Sequence, residues 1–173
     1  MSRAARLDLR SFQRELASRL ASKTAAQVES SRLGVACGEQ RWLIRLGEAG
    51  EVIAVPPIVP VPLTKGWFLG LANIRGNLFS VVDFPAFLGG PAVSTTGVSR
   101  LILLSTRGGG DSVGIVVERV LGLRNLAQFT TDAIVEGAPA WQVAGWRDPE
   151  GLPWQEIDLA MLARDPAFLQ VGA

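Results

Sequence analysis

The run Gly66-Trp-Phe-Leu-Gly-Leu-Ala-Asn-Ile-Arg-Gly-Asn-Leu-Phe-Ser-Val-Val-Asp83 holds two apolar segments, Trp67–Asn73 and Leu78–Asp83. Each has the length of a strand, and only a tight connection fits between them. Arg75-Gly76-Asn77 forms that connection, with Gly76 and Asn77 the residues suited to positive φ. Upstream, Pro56, Pro57, Pro60 and Pro62 exclude a helix and any central strand position. Glu51–Val55 before them reads as a short strand. Downstream, Pro85–Leu88 reads as one helical turn stopped by Gly89-Gly90.

The same punctuation continues in both directions. Leu33–Cys37 and Arg41–Leu46 read as strands around Gly38-Glu39-Gln40. In the second, Trp42, Ile44 and Leu46 share one face and Arg41 and Arg45 the other, the period of a half-buried strand. Arg100–Ser105 and Val113–Arg119 flank a hairpin tip at Arg107-Gly-Gly-Gly-Asp111. Val120–Leu126 continues the sheet after a bend at Gly122. Residues 128–140 are weakly patterned. Trp141–Trp146 and Leu152–Ile157 form a last pair, and Asp158 is placed to cap a short helix to Ala163. About nine short strands with turns between them indicate an all-β barrel or sandwich.

The N-terminus differs. Leu9, Phe12, Leu16 and Leu20 recur at helical spacing, so residues 8–21 read as a helix. Ser22–Ser31 reads as a linker, which makes residues 1–31 an N-terminal helix and linker and residues 32–173 the β-rich domain. Residues 1–32 carry seven basic and three acidic residues, a net of +4, against −3 for the rest. That excess is either a solvated helix face or a docking arm for an acidic partner.

Composition narrows the function classes. The chain has 173 residues, enough to bury a core without disulfide or metal. Its single cysteine, Cys37, suits a reducing compartment, and no apolar run approaches the ~20 residues of a membrane span. A cytoplasmic protein without direct membrane insertion is expected. Histidine is absent, which excludes Ser-His and Cys-His nucleophile pairs and histidine-bearing zinc sites.

Few groups remain for chemistry. Glu48 and Glu51 flank a turn and read as a solvated hairpin end. Cys37 sits in an apolar strand, where cysteine serves as a small hydrophobe. Gly108–Gly110 lacks the Lys-Ser/Thr of a phosphate-binding loop. Trp42, Trp67, Trp141, Trp146 and Trp154 offer stacking surfaces, but the acidic β-rich part opposes a nucleic-acid-binding barrel. They read as core residues or partner anchors. No cofactor is expected. A β-barrel enzyme would have to do its acid–base work with carboxylates or with Lys23 and Lys65, both poorly placed for a buried site.

Gly70-Leu-Ala-Asn-Ile-Arg-Gly76, its following strand to Val81-Val82-Asp83, the Glu51-Val-Ile53 segment and Val113-Gly-Ile-Val-Val-Glu-Arg-Val120 together resemble the signature of CheW-like chemotaxis coupling domains. The family usually has Asp where this chain has Glu118. The N-terminal helix, Trp67 and Asp165-Pro-Ala-Phe-Leu169 look most like the pilus (twitching-motility) branch. The resemblance implies two interleaved five-stranded β-barrel lobes with a shared apolar seam, and a non-enzymatic adaptor. Its partners would be the regulatory domain of a CheA-type histidine kinase and the cytoplasmic tip of a methyl-accepting chemoreceptor. A flagellar or other chemosensory pathway is the alternative.

Carried onto this sequence, the resemblance places a receptor-facing groove at Glu51, Val52, Ile53, Asn73, Arg75 and Gly76. Val52 and Ile53 would form an apolar wall for a helix. The Arg75 guanidinium would make forked hydrogen bonds to a receptor, or would pair within the fold with Asp83 or Glu51. Phe79 and the prolines 56–62 are candidate kinase contacts. Phe168 and Leu169 are expected to pack the C-terminal turn onto a lobe.

Overall fold

The computed structural model of the chain describes residues 14, 15, 17–19, 22, 25, 29–95, 97–105 and 112–173. The strands in these are β1 (Ser31–Cys37), β2 (Gln40–Arg45), β3 (Ala49–Ala54), β4 (Phe68–Ile74), β5 (Asn77–Asp83), β6 (Arg100–Leu104), β7 (Val113–Val117), β8 (Arg119–Asn125), β9 (Thr130–Asp132), β10 (Gln142–Arg147) and β11 (Pro153–Ile157). Three one-turn helices accompany them: α1 (Phe84–Phe87), α2 (Leu159–Leu162) and α3 (Pro166–Leu169). Each is capped by an aspartate side chain, from Asp83, Asp158 and Asp165 in turn.

One sheet runs β8-β1-β2-β11-β10-β9 and the other β3-β6-β7-β5-β4. The first two strands therefore pair with the last four, while the middle five form a separate sheet. Two parallel contacts, β2 with β11 and β5 with β7, close these long-range arrangements. The all-β, interleaved architecture is as expected, but one sheet has six strands instead of five. The extra strand, β9, comes from the weakly patterned residues 128–140. Its three residues pair with β10 through Thr130, Thr131 and Asp132. Too short for a hydrophobic period, it is defined only by its neighbour.

Gly122 has φ +89° beside a bulge in the β1–β8 ladder, as the expected bend requires, but the chain leaves one sheet for the other earlier, at Glu118. There the Gly38 amide donates to the Glu118 carboxylate at 2.8 Å. At the N-terminus, Arg14, Glu15, Ala17–Arg19, Ser22, Ala25, Glu29 and Ser30 are helical. Helix therefore extends into the stretch expected to be a linker. The apolar residues of the expected helix, Leu9, Phe12, Leu16 and Leu20, and the glycine tip 108–110 lie outside the described residues.

The core has two clusters because β6 and β7 are buried on both faces. Ile102, Leu104, Val113, Ile115 and Val117 point into the seam, where they meet Val35, Trp42 and Ile44 of the other sheet. Leu101, Leu103 and Val116 point the opposite way, onto Ala72 and Val81. Two-sided burial explains why these strands read as unbroken apolar runs. β2 departs from its expected half-burial for the same reason. Leu43, on the arginine face, is fully buried.

That arginine face is covered by a polar network. Glu156, itself buried, accepts from Arg32 Nε at 2.8 Å, Arg45 Nε at 3.3 Å and Trp146 Nε1 at 2.9 Å. Arg45 also reaches Glu48 and Asp158 at 3.3 and 3.2 Å. Desolvation works against the charged form of Arg45, but these three carboxylates outweigh it and raise its pKa. The second Glu48 oxygen accepts the Leu159 amide at 2.9 Å. Glu48 is thus a clamp between β2 and α2, correcting its reading as a solvated hairpin end.

The middle sheet is closed by its proline segment. Val59 and Leu71 exchange backbone hydrogen bonds of 2.8 and 2.9 Å across an isolated bridge. This lies beside the bulge of β4 at Gly70, where φ is +129° and a Cβ would stand 2.1 Å from the Val59 carbonyl oxygen. Only glycine fits there. The prolines thereby cover an edge strand that would otherwise be open to pairing.

Three predictions follow from this packing. Gly70→Ala adds a backbone clash to a positive φ and is expected to cost roughly 3 kcal/mol or more. Unchanged urea unfolding of that variant would refute the close approach. Glu156→Gln removes the charge that two arginines share, and an expected loss of about 3 kcal/mol should appear as a lower denaturation midpoint. A midpoint within error of the parent would show that the network contributes nothing.

Cys37 supplies the third. Burial pushes its thiol up to about 12, with the charge of Glu118 adding and a Glu118 backbone hydrogen bond opposing. Below the ordinary value of 9.0 the thiol is neutral in both states, so its stabilising contribution is complete. Between 9.0 and about 12 only the unfolded chain ionises, and the contribution is lost as pH rises. Stability should fall by about 1.4 kcal/mol per pH unit from this group. Cys37→Ala should flatten that slope, and an unaltered slope would remove Cys37 as its source.

Candidate functional site

The connection between β4 and β5 is a two-residue turn, with Ile74 paired to Asn77. Arg75 and Gly76 both have positive φ, +52° and +86°, the geometry of a mirror-image hairpin turn. The sequence reading gave positive φ to Gly76 and Asn77. Asn77 is instead the first residue of β5, and the second left-handed residue is Arg75. Asn73 stabilises the turn by accepting the Gly76 amide at 2.9 Å.

A non-glycine residue in this conformation costs roughly 1 kcal/mol or more. Part of that is offset by the Arg75 side chain. Its guanidinium forks onto Glu51, with Nη1 donating to Oε2 at 3.0 Å and Nη2 to Oε1 at 2.6 Å. Glu51 is on β3, at the opposite edge of the five-stranded sheet from β4. The pair therefore joins the two edges, which requires the sheet to curl toward a barrel.

Asp83, the other partner considered for Arg75, is fully buried and committed elsewhere. Its carboxylate accepts from Ala86 N at 3.0 Å and Val93 N at 2.8 Å. Arg75 pairs with Glu51.

The pair is exposed, with 75% of the Arg75 side chain and 39% of that of Glu51 open to water. An exposed pair contributes only ~0.2–1 kcal/mol, so it can be shared or exchanged at little cost. Arg75 has five N–H donors, two of them engaged by Glu51.

The remaining expected site residues separate. Val52 is exposed, whereas Ile53 packs against the Leu101–Val116 cluster. Alternation along β3 puts them on opposite faces, so they do not form one wall. Phe79 also packs against that cluster, which leaves part of its ring open. Its neighbour Leu78, absent from the sequence reading, is 64% exposed and pairs with Asn73 beside the turn. A parity argument finds it: Phe79 and Val81 face inward, so Leu78 must face out.

The curled sheet thus presents a forked cation–carboxylate pair and a constrained turn, with Leu78 exposed beside the turn on β5 and Val52 exposed on β3. Among the described residues no cluster of acidic and cysteine side chains is arranged to hold a metal, and no helix is long and apolar enough to cross a membrane.

The chain is similar to known proteins. The chain is 27% identical to the protein PilI of Pseudomonas aeruginosa over 164 residues, 92% of this chain and 89% of that one. It is 29% identical to the chemotaxis protein CheW of Rhizobium meliloti over 83 residues, 48% of this chain and 52% of that one. The crystal structure of the scaffolding protein TtCheW from Thermoanaerobacter tengcongensis superposes with a TM-score of 0.64 at 18% identity, covering 76% of this chain and 85% of that one, and so shares the fold. The model of the CheW-like domain matches residues 32–166, and the chain belongs to the CheW-like domain family.

Proposed function

We propose that this protein is a cytoplasmic adaptor that couples the tip of a methyl-accepting chemoreceptor to the regulatory domain of a CheA-type histidine kinase. The observation that carries the reading is the exposed Arg75–Glu51 fork on a two-residue turn held by the Asn73 side chain and the β4–β5 ladder. A receptor helix supplies carboxylates and terminal carbonyls that a guanidinium recognises in its own plane. Leu78, exposed beside the turn, and Val52, exposed next to Glu51, add apolar contact. Phe79 is the proposed kinase contact through the open part of its ring. The likeness to PilI over most of the chain supports a pathway controlling type IV pilus twitching motility. An adaptor needs no chemistry of its own, which suits a histidine-free chain whose single thiol is buried.

The test is Arg75→Ala. Loss of an exposed pair should change unfolding stability by no more than ~1 kcal/mol. Receptor-dependent kinase activity in a reconstituted mixture should drop at least about tenfold, which corresponds to 1.4 kcal/mol of coupling. Binding to the isolated kinase regulatory domain should persist. Normal coupling by the variant, or its failure to fold, would overturn the assignment.

A further inference from the structure

β8 ends the six-stranded sheet, and among the described residues β1 is its one strand partner. Its other side turns a row of backbone N–H and C=O groups outward, a template for a further strand. Arg119, Gly122, Leu123 and Asn125 are exposed along it. Leu123 stands opposite Leu33 on the core side of the sheet, yet 64% of it is open to water. A neighbouring strand on that edge would cover it.

The outer face beside this edge carries more cation than its carboxylates balance. Cross-strand register sets Arg124, Arg32 and Arg45 in one row, and Arg119, Ala36 and Arg41 in another. Like charges set opposite each other are unfavourable unless compensated. Glu156 compensates Arg32 and Arg45, and the charge of Asp148 faces Arg41. No carboxylate among the described residues forms an ion pair with Arg119 or Arg124. The nearby Glu118 carboxylate is taken by the Gly38 amide.

Arg124 is nonetheless held in place. Its guanidinium lies over the Trp154 ring at 5.4 Å, and its Nε is enclosed with no acceptor. Mobile lysines are the common way to blunt an open edge, whereas a guanidinium laid on an indole presents a fixed fork for a carboxylate. The bulge at Gly122 puts Arg119 and Arg124 on the same face, although they are five apart in sequence. Their β1 partners Ala36 and Arg32 are four apart, a span of about 13 Å.

We propose that an extended acidic segment of a partner protein adds to the free edge of β8 as a further strand. In an antiparallel ladder its carboxylates stand opposite Arg124 and Arg119, and its apolar residues stand opposite Leu123 and Val120. The order recognised is acidic, apolar, any, apolar, acidic. Charge selects this occupant. A second copy joined β8 to β8 would set arginine against arginine. The chain's own residues 1–32 carry a net of +4, the same sign as the edge. A nucleic acid has no peptide groups to extend the ladder. The edge belongs to the other sheet from Arg75 and Glu51, so it is independent of the proposed receptor contact.

Fluorescence anisotropy of the full chain with labelled peptides tests this. One short peptide carries the order glutamate, valine, threonine, valine, glutamate at its centre, and its control has lysine in place of both glutamates. The parent should bind the first and not the second. Arg119→Glu, at an exposed position, should weaken the glutamate peptide at least about tenfold and take up the lysine peptide, with its unfolding midpoint unchanged. Arg75→Ala should bind like the parent. Methylating alternate backbone nitrogens of the glutamate peptide should abolish binding for one set and spare it for the other, as a ladder requires. A parent that binds neither peptide, or both equally, would overturn the proposal. So would binding that tolerates both methylation patterns, or peptide-free self-association that Arg119→Glu abolishes.

Discussion

Burial of β6 and β7 on both faces is the constraint from which the other features follow. A strand with two apolar faces must have packing above and below it. One side is supplied by the curled remainder of its own sheet, the other by β1, β2 and β11. Because β1 and β2 come from the start of the chain and β11 from near its end, the seam can form only when both are in place. Interleaving therefore couples the lobes: the shared seam is lost if either sheet is removed. The Trp42–Phe84 and Trp42–Trp141 ring contacts, at 5.5 and 5.7 Å, sit within this seam.

With the seam fixed, the outer faces can carry polar groups. Glu156 shows how far this goes, since one buried carboxylate serves two arginines and an indole. Such an arrangement need not be more stable than a hydrophobic one, but it is intolerant of losing a member. Arg75 and Glu51 stand at the other extreme. They have the same chemistry, are bathed in water, and contribute little to stability. The difference in burial separates a group that holds the fold from one free to make contacts outside it.

Much of this was legible in the chain. Strand pairs around Gly38-Glu39 and Arg75-Gly76 follow from apolar runs and turn residues, and Pro85 and Asp158 announce their helices. Other features were invisible for definite reasons. Positive φ at Arg75 contradicts residue preference and is imposed by the two-residue length of the turn. β9 has no period of its own. Glu48 reads as a solvated hairpin end because its second partner, the Leu159 amide, lies more than a hundred residues later. Val52 and Ile53 share an apolar character that hides their opposite orientations, which only the register with β6 fixes. Local pattern revealed the elements; what covers each face is a property of distant pairings.

β4 gives the two surfaces of the middle sheet a common ruler. Trp67 lies at its start, in a cleft of about 580 Å³ that it lines with Trp42, Phe87 and Trp141, and Arg75 lies just past its end. Eight residues at ~3.3 Å each separate them by roughly 26 Å. The spacing is held from three sides: the full ladder to β5, the Val59–Leu71 bridge, and the close approach that only Gly70 permits. A stiff strand of this length fixes the distance between the cleft and the turn. Their mutual orientation is set by backbone hydrogen bonds and not by side-chain contacts that a partner could rearrange. The adaptor proposed above would depend on that rigidity to hold its neighbours in register.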